Sequence, residues 1–276
     1  KEHFLKERML FDVTLFSDGS NIQRKPKGHL YLYPLIAIAA MLAIVFVMDL
    51  PHMHKPKQQL SQTIRIPAGQ RAQMDLPDGS IVWLNSQTTL TYDENFGKKD
   101  RKVTLDGEAY FEVAHNKEIP FYVQTENIKV QVTGTKFDVC SYKGSNSFIA
   151  RLIEGSINLL TNNAKEEKPI TSLTKGKYFS MENGKYKTGE MSSNNALAWM
   201  QGIYYFDDVP FKELLDKIAL YYNYKITVKN PKILENYRCT GKFKDLDGIE
   251  HILKVIQKDH PFKYNIDNEH NKITIE

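Results

Sequence analysis

Ile128-Lys129-Val130-Gln131-Val132-Thr133-Gly134-Thr135-Lys136-Phe137-Asp138-Val139 decides the fold of the middle of this chain. Ile128, Val130 and Val132 alternate with Lys129 and Gln131, and Phe137 and Val139 resume the pattern after Gly134. Side chains on a strand point to opposite faces with a period of two, so this pattern predicts strands with one buried face. Outward from it, a turn containing glycine and then a strand keeps returning: Leu76-Pro77-Asp78-Gly79-Ser80-Ile81, Leu105-Asp106-Gly107-Glu108-Ala109-Tyr110, Ile153-Glu154-Gly155-Ser156-Ile157 and Thr174-Lys175-Gly176-Lys177-Tyr178. Asp-Gly and Glu-Gly form turns readily because glycine accepts positive φ. Turns at this quasi-regular spacing predict an all-β domain over 61–190, either solenoid-like or a sandwich.

Ahead of it lies Leu30 to Met48, LYLYPLIAIAAMLAIVFVM, without a charge. A helix of that length is about 28 Å long at roughly 1.5 Å per residue, close to the roughly 30 Å core of a bilayer. A lone segment crosses only as a helix, which pairs its own backbone groups. Tyr31 and Tyr33 suit the headgroup layer, and Pro34 falls in the first turn, where its missing N–H costs least. The expectation is a single transmembrane helix over 30–48, followed by a polar linker at 49–60. Arg24, Lys25 and Lys27 on one side balance Lys55, Lys57 and Arg65 on the other, so flanking charge does not orient it. Phe4, Leu5, Met9, Leu10, Val13, Leu15 and Phe16 look like the end of an amphipathic helix, and 1–29 reads as the tail of a cytoplasmic region.

The last part reads as a smaller α+β module over 191–276. Asp207-Asp208-Val209-Pro210 signals a helix start, and Phe211, Leu214, Leu215, Ile218 and Tyr222 give the stripe of an amphipathic helix. Strands follow at Tyr224–Val228 and Tyr237–Phe243. Asp247 with Glu250 resembles a capping box for a second helix, whose stripe is Ile249, Ile252, Leu253 and Ile256 and which Pro261 ends. Strands Lys263–Ile266 and Lys272–Glu276 complete a β-α-β-β-α-β-β order. Trp199 is expected to anchor the junction between the modules. Tyr221, Tyr222 and Tyr224 read as packing residues rather than a stacking platform for sugars or bases.

The 276 residues carry 37 Lys+Arg against 33 Asp+Glu, a net +4 with the basic residues scattered, which does not point to nucleic acid. Cys140 and Cys239 cannot make a disulfide framework or a four-ligand zinc site and are expected to be buried separately. His52 and His54 have no third ligand at suitable spacing. Asp78, Asp106, Glu108, Glu112 and Glu154 sit in turns and on strand faces, where acids usually meet solvent. No GxSxG elbow, Walker loop, HExxH or CxxC occurs. No catalytic residue, metal or cofactor is expected.

LPDGSIVWLNSQTTLTY (76–92), LDGEAYFEV (105–113), PFYVQT (120–125), VQVTGTKFDV (130–139) and LIEGSINL (152–159) resemble the FecR-type anti-sigma regulators, and WMQGIYYFDDVPFKELLDKIALYYNYKI onward is similar to the signalling domain these share with secretins and TonB-dependent receptors, in its Bacteroidetes form. The matching motif positions are Asp78, Gly79, Gly107, Glu108, Gly134, Thr135, Gly155 and Trp199, with structural roles. The resemblance implies an inner-membrane protein with a cytoplasmic N-terminus and periplasmic C-terminal domains. Its partners would be an extracytoplasmic-function sigma factor and the signalling domain of an outer-membrane TonB-dependent transducer, and the outcome control of nutrient-uptake genes for iron-siderophores or glycans. Only 29 residues precede the apolar stretch, fewer than the sigma-binding domain such regulators carry. Exposed strand edges recruit partner strands, and the candidates here are Gly202, Ile203, Tyr204, Tyr205 and Phe206 on one strand and Tyr237, Cys239 and Phe243 on another. The competing readings are a membrane-tethered glycan-binding module and a secretion-channel component.

Overall fold

The computed structural model describes residues 32–53, 60–163, 167–191 and 194–276. Helix α1 (Leu32–Met53) occupies the uncharged stretch and continues through Asp49 to Met53, so the first residues of the segment expected as a linker at 49–60 are helical. Its described side chains, Pro34 and those at 36–46, are all exposed. Among the described residues no helix is long and apolar enough to cross a membrane, so the membrane reading of 30–48 rests on the sequence. The tail at 1–29 and His54 lie outside the described residues.

Residues 59–276 form one compact unit. It opens with thirteen strands: β1 (Ser61–Arg65), β2 (Ala72–Asp75), β3 (Ile81–Leu84), β4 (Thr89–Asp93), β5 (Arg101–Glu112), β6 (Phe121–Gln124), β7 (Ile128–Val132), β8 (Lys136–Ser141), β9 (Ser147–Glu154), β10 (Ser156–Thr161), β11 (Pro169–Thr174), β12 (Lys177–Glu182) and β13 (Lys185–Glu190). They make a single sheet curled so that two halves enclose one core. The first half runs β1-β4-β5-β6-β7-β10-β11, and the second β2-β3-β5-β8-β9-β12-β13. Strand β5 belongs to both: residues 101–106 pair with β4 and β6, residues 107–112 with β3 and β8.

The recurring glycines mark the passages between halves. β5 changes halves at Gly107, β7 leads into β8 through Gly134, β9 into β10 through Gly155, and β11 into β12 through Gly176. Gly107 shows why the residue matters. Its φ is +134°, and a Cβ there would lie 2.4 Å from Thr88 Oγ1 and 2.6 Å from Thr88 Cα. A sandwich-like curl answers the solenoid-or-sandwich alternative. The halves bury Leu90, Val103, Val123 and Val130 from one side and Leu84, Phe111, Phe137 and Phe148 from the other in one cluster. Each such side chain contributes roughly 1.5–3 kcal/mol by leaving water.

The C-terminal module contains β14 (Ile203–Pro210), α2 (Phe211–Tyr222), β15 (Lys225–Val228), β16 (Arg238–Lys244), α3 (Gly248–Asp259), β17 (Tyr264–Asp267) and β18 (Lys272–Ile275), in the expected order. A short 3-10 helix at Asn194–Gln201 leads into it. Two sheets form rather than one small sheet: an antiparallel β14–β16 ribbon and a β15-β18-β17 sheet. The stripe of α3 is Ile249, Ile252, Leu253 and Ile256, as the spacing predicts. In α2 the fifth buried residue is Tyr221, not Tyr222.

Both expected helix starts are made differently. Asp207 and Asp208 do not cap α2 but form a bulge in β14, with Asp208 at φ +47° and Arg238 Nε donating to its Oδ1 at 2.7 Å. The Asp247–Glu250 capping box is absent. Asp247 instead accepts from the backbone N–H of Lys244, and Glu250 pairs with Lys254 one turn on. In each case a nearer cation or backbone donor captures the carboxylate.

Candidate functional site

On β3, β5, β8 and β9 the even and odd side chains are both covered. One face enters the core. The other carries Trp83, Glu108, Tyr110, Asp138, Cys140, Ile149 and Arg151, and registers them across the sheet: Trp83 opposite Tyr110, Tyr110 opposite Asp138, Asp138 opposite Arg151. A sheet face of this composition would ordinarily be wet. Here the C-terminal module lies on it. Glu108, Cys140, Ile149 and Arg151 share a small cavity, about 80 Å³, with Trp199, Tyr204, Phe206, Lys217 and Tyr221.

The joint is fastened at the end of α2. The last carbonyls of a helix lack intrahelical partners. Those of α2 find theirs in the β-domain: Gly69 N–H donates to Tyr221 O at 2.9 Å, Ser86 Oγ to the same oxygen at 3.0 Å, and Gln87 Nε2 to Leu220 O. Arg71 reaches Asp245 at 2.6 Å beside Gly202, and a Cβ on Gly202 would meet both side chains at 2.9 Å. Tyr204 stacks on Tyr221 with centroids 4.1 Å apart. Trp199 is buried at this seam in one cluster with Tyr110.

Under the seam sits an ionic cluster. Arg151 Nη1 binds Asp138 Oδ2 at 2.5 Å and lies 3.7 Å from Glu108 Oε1, while Asn85 Nδ2 donates to Glu108 Oε2 at 2.6 Å. Asp138 is 0% exposed and Glu108 4%. Burial, then the neighbouring Asp138 charge, pushes Glu108 from its ordinary 4.5 up to about 7, against Arg151 and Asn85. Burial also raises Asp138, opposed by Arg151 and by the indole N–H of Trp199. That N–H and Asp138 Oδ1 close no hydrogen bond in ordinary geometry. Burial opposes the Arg151 charge, yet Asp138 and Glu108 hold its pKa above the ordinary arginine value. Burial sends the Cys140 thiol well above its usual range. Among the described residues, no three His, Cys, Asp or Glu side chains group as a metal would need.

The expectation that the turn and strand acids meet solvent is corrected for Glu108 and for Asp78. Asp78 accepts from Ser80 N–H at 3.0 Å and Ser80 Oγ at 2.8 Å, and binds buried Arg101 at 3.1 Å. Arg101 also donates to the carbonyls of Ile119, Ala114 and Asn116. Gly79 turns the β2–β3 hairpin, and Thr135 Oγ1 donates to Ser156 O beside Gly155. Arg101, Asp138 and Arg151 went unnoticed in the sequence, since a basic or acidic residue in an alternating strand reads as solvent-facing.

The candidate edge strands pair with each other: Tyr204 opposite Phe243, Tyr205 opposite Lys242, Val209 opposite Cys239. The side chains of Tyr204, Phe206, Cys239 and Phe243 are buried in the module core, and Gly202 is buried at the seam. Ile203, Tyr205 and Tyr237 are half-buried, with Lys242 Nζ 5.4 Å from the Tyr205 ring centre and Tyr237 stacked on His260. Tyr222 and Tyr224 use their hydroxyls on Asp245 O and Asn268 Oδ1, which makes them packing residues.

A β-domain with an α+β module locked to its flank defines the class. Residues 62–158 match the family model for the FecR protein and residues 203–275 that for the FecR C-terminal region, together more than half of the chain. The chain belongs to the FecR family. Two crystal structures of a candidate anti-sigma factor from Parabacteroides distasonis ATCC 8503, at 1.65 and 2.50 Å, share its fold with TM-scores of 0.67 and 0.66. Each is 24% identical and the alignment covers 78% of this chain and 98% of the other. Comparison with curated protein sequences gives no match.

Proposed function

We propose that this chain is a membrane-anchored sigma-factor regulator that relays a signal without chemistry of its own. One observation carries the reading: both FecR modules are present, in order, behind an uncharged 19-residue stretch. In this reading 30–48 spans the inner membrane once, the N-terminal side faces the cytoplasm and an extracytoplasmic-function sigma factor, and 61–276 stands in the periplasm. There it meets the signalling domain of a TonB-dependent outer-membrane receptor, and nutrient-uptake genes respond. The half-buried Ile203 and Tyr205 of the β14–β16 ribbon, with Tyr237 just before β16, are the contact we favour, because Tyr204, Phe206, Cys239 and Phe243 are committed to the core.

The test uses the full chain in detergent micelles and an isolated transducer signalling domain. Calorimetric binding at micromolar concentration, weakened by Tyr205→Glu, is the expected result. No binding at high micromolar concentration removes the transducer relay. Recovery of the chain in the soluble fraction of lysed cells removes the anchor.

A further inference from the structure

We infer that the seam between the two modules is a proton-linked latch: closing the C-terminal module over the sheet traps Glu108 and Asp138 around one guanidinium, and the closed state takes up a proton that the open state releases. This stands on the geometry of the seam and is independent of the regulatory reading.

The charge count at the seam is lopsided. Asp138 holds Arg151 at 2.5 Å, leaving Glu108 at 3.7 Å with a hydrogen bond from neutral Asn85. Every other element packed here adds little positive charge. From β8 and its following turn come the Cys140 thiol and the Tyr142 hydroxyl, from β14 the Tyr204 hydroxyl, and from α2 the Tyr221 hydroxyl. Lys217 of α2 lines the same cavity and draws on Glu108, but its ammonium is 2.9 Å from Glu213, which offsets its charge. One negative charge is therefore left over in a buried site, where an unpaired charge is costly and a proton relieves it. The proton belongs to the acid pair, and the longer Arg151 contact places it on Glu108.

The lid is what makes the site dry. Trp199, Tyr204, Phe206 and Tyr221, which wall the cavity, all belong to the C-terminal module or its lead-in. Lifting them returns Glu108 to water, where it ionises as an ordinary carboxylate. The carboxyl sits at about 7 closed and 4.5 in water. The closed state thus binds the extra proton between those values, and closing weakens as pH rises through about 7. Linkage over that window makes opening about tenfold more favourable at pH 8 than at pH 6. By reciprocity, any partner that binds only the open form gains up to the same factor and expels the proton.

The chain has two tryptophans, Trp83 and Trp199, and both line the same recess at the seam with Arg71 and Met200. Intrinsic emission therefore reports the seam directly. The experiment follows tryptophan emission against urea for the full chain in non-ionic micelles at pH 6 and pH 8. Wild type is expected to show about a tenfold larger opening constant at pH 8, and Glu108→Gln less than a twofold change. Asp138→Asn removes the same surplus charge and serves as the second variant. A wild-type change under twofold overturns the latch, and so does a full tenfold change retained in either variant.

Discussion

Replacing Gly107 by alanine tests whether the sheet is curled by that corner. The backbone there has φ +134°, a region that costs an L residue about 1–3 kcal/mol. The added Cβ would also lie 2.6 Å from the Cα of Thr88, which is backbone and cannot rotate away. Overpacking of that kind costs about 1–3 kcal/mol more. Thr88 in turn holds the neighbouring residue through Glu108 N–H to its Oγ1 at 3.0 Å and Oγ1 to Glu108 O at 3.1 Å, so moving it loosens the seam as well. The expected loss is roughly 2–6 kcal/mol, a large part of the ordinary 5–15 kcal/mol of a domain. Gly79→Ala is the control: φ is +84° but no atom lies within 4 Å, so only strain of about 1–2 kcal/mol applies. Urea unfolding of residues 59–276, followed by circular dichroism, measures both. If Gly107→Ala loses no more than Gly79→Ala, the close approach to Thr88 does not shape the sheet.

Arg101→Met should cost about 3–5 kcal/mol, because it strands the Asp78 carboxylate and three carbonyls in a buried site; a urea-derived loss under 1 kcal/mol would show that the cluster is not structural. Gln87→Ala removes the donor to Leu220 O and should cost about 1 kcal/mol, with hydrogen exchange faster in the last turn of α2 and unchanged in β12; uniform exchange would refute the capping role. Deleting 30–48 should shift the chain from the membrane fraction to the soluble one, and an unchanged distribution would place the anchor elsewhere.

Much of this architecture was legible in local pattern. The alternation around Gly134 announced strands, and the 3.6-residue stripe of Ile249, Ile252, Leu253 and Ile256 announced α3, since each periodicity follows from backbone geometry alone. The order of elements in the C-terminal module followed in the same way. The helix starts did not: Asp208 is held by Arg238, 30 residues away and brought near only by the folded chain, and Asp247 caps the turn before α3 through the Lys244 N–H rather than α3 itself.

What the amino-acid order determined by itself was the kind of each element and the glycines between them. What the tertiary structure decided was the second face of the sheet. Glu108, Asp138 and Arg151 alternate like any solvated strand residues, and nothing within their own segments says that Trp199, Tyr204 and Tyr221 will cover them. Burial of a strand's outer face depends on a neighbour distant in sequence, whereas the direction of a side chain depends only on its own backbone.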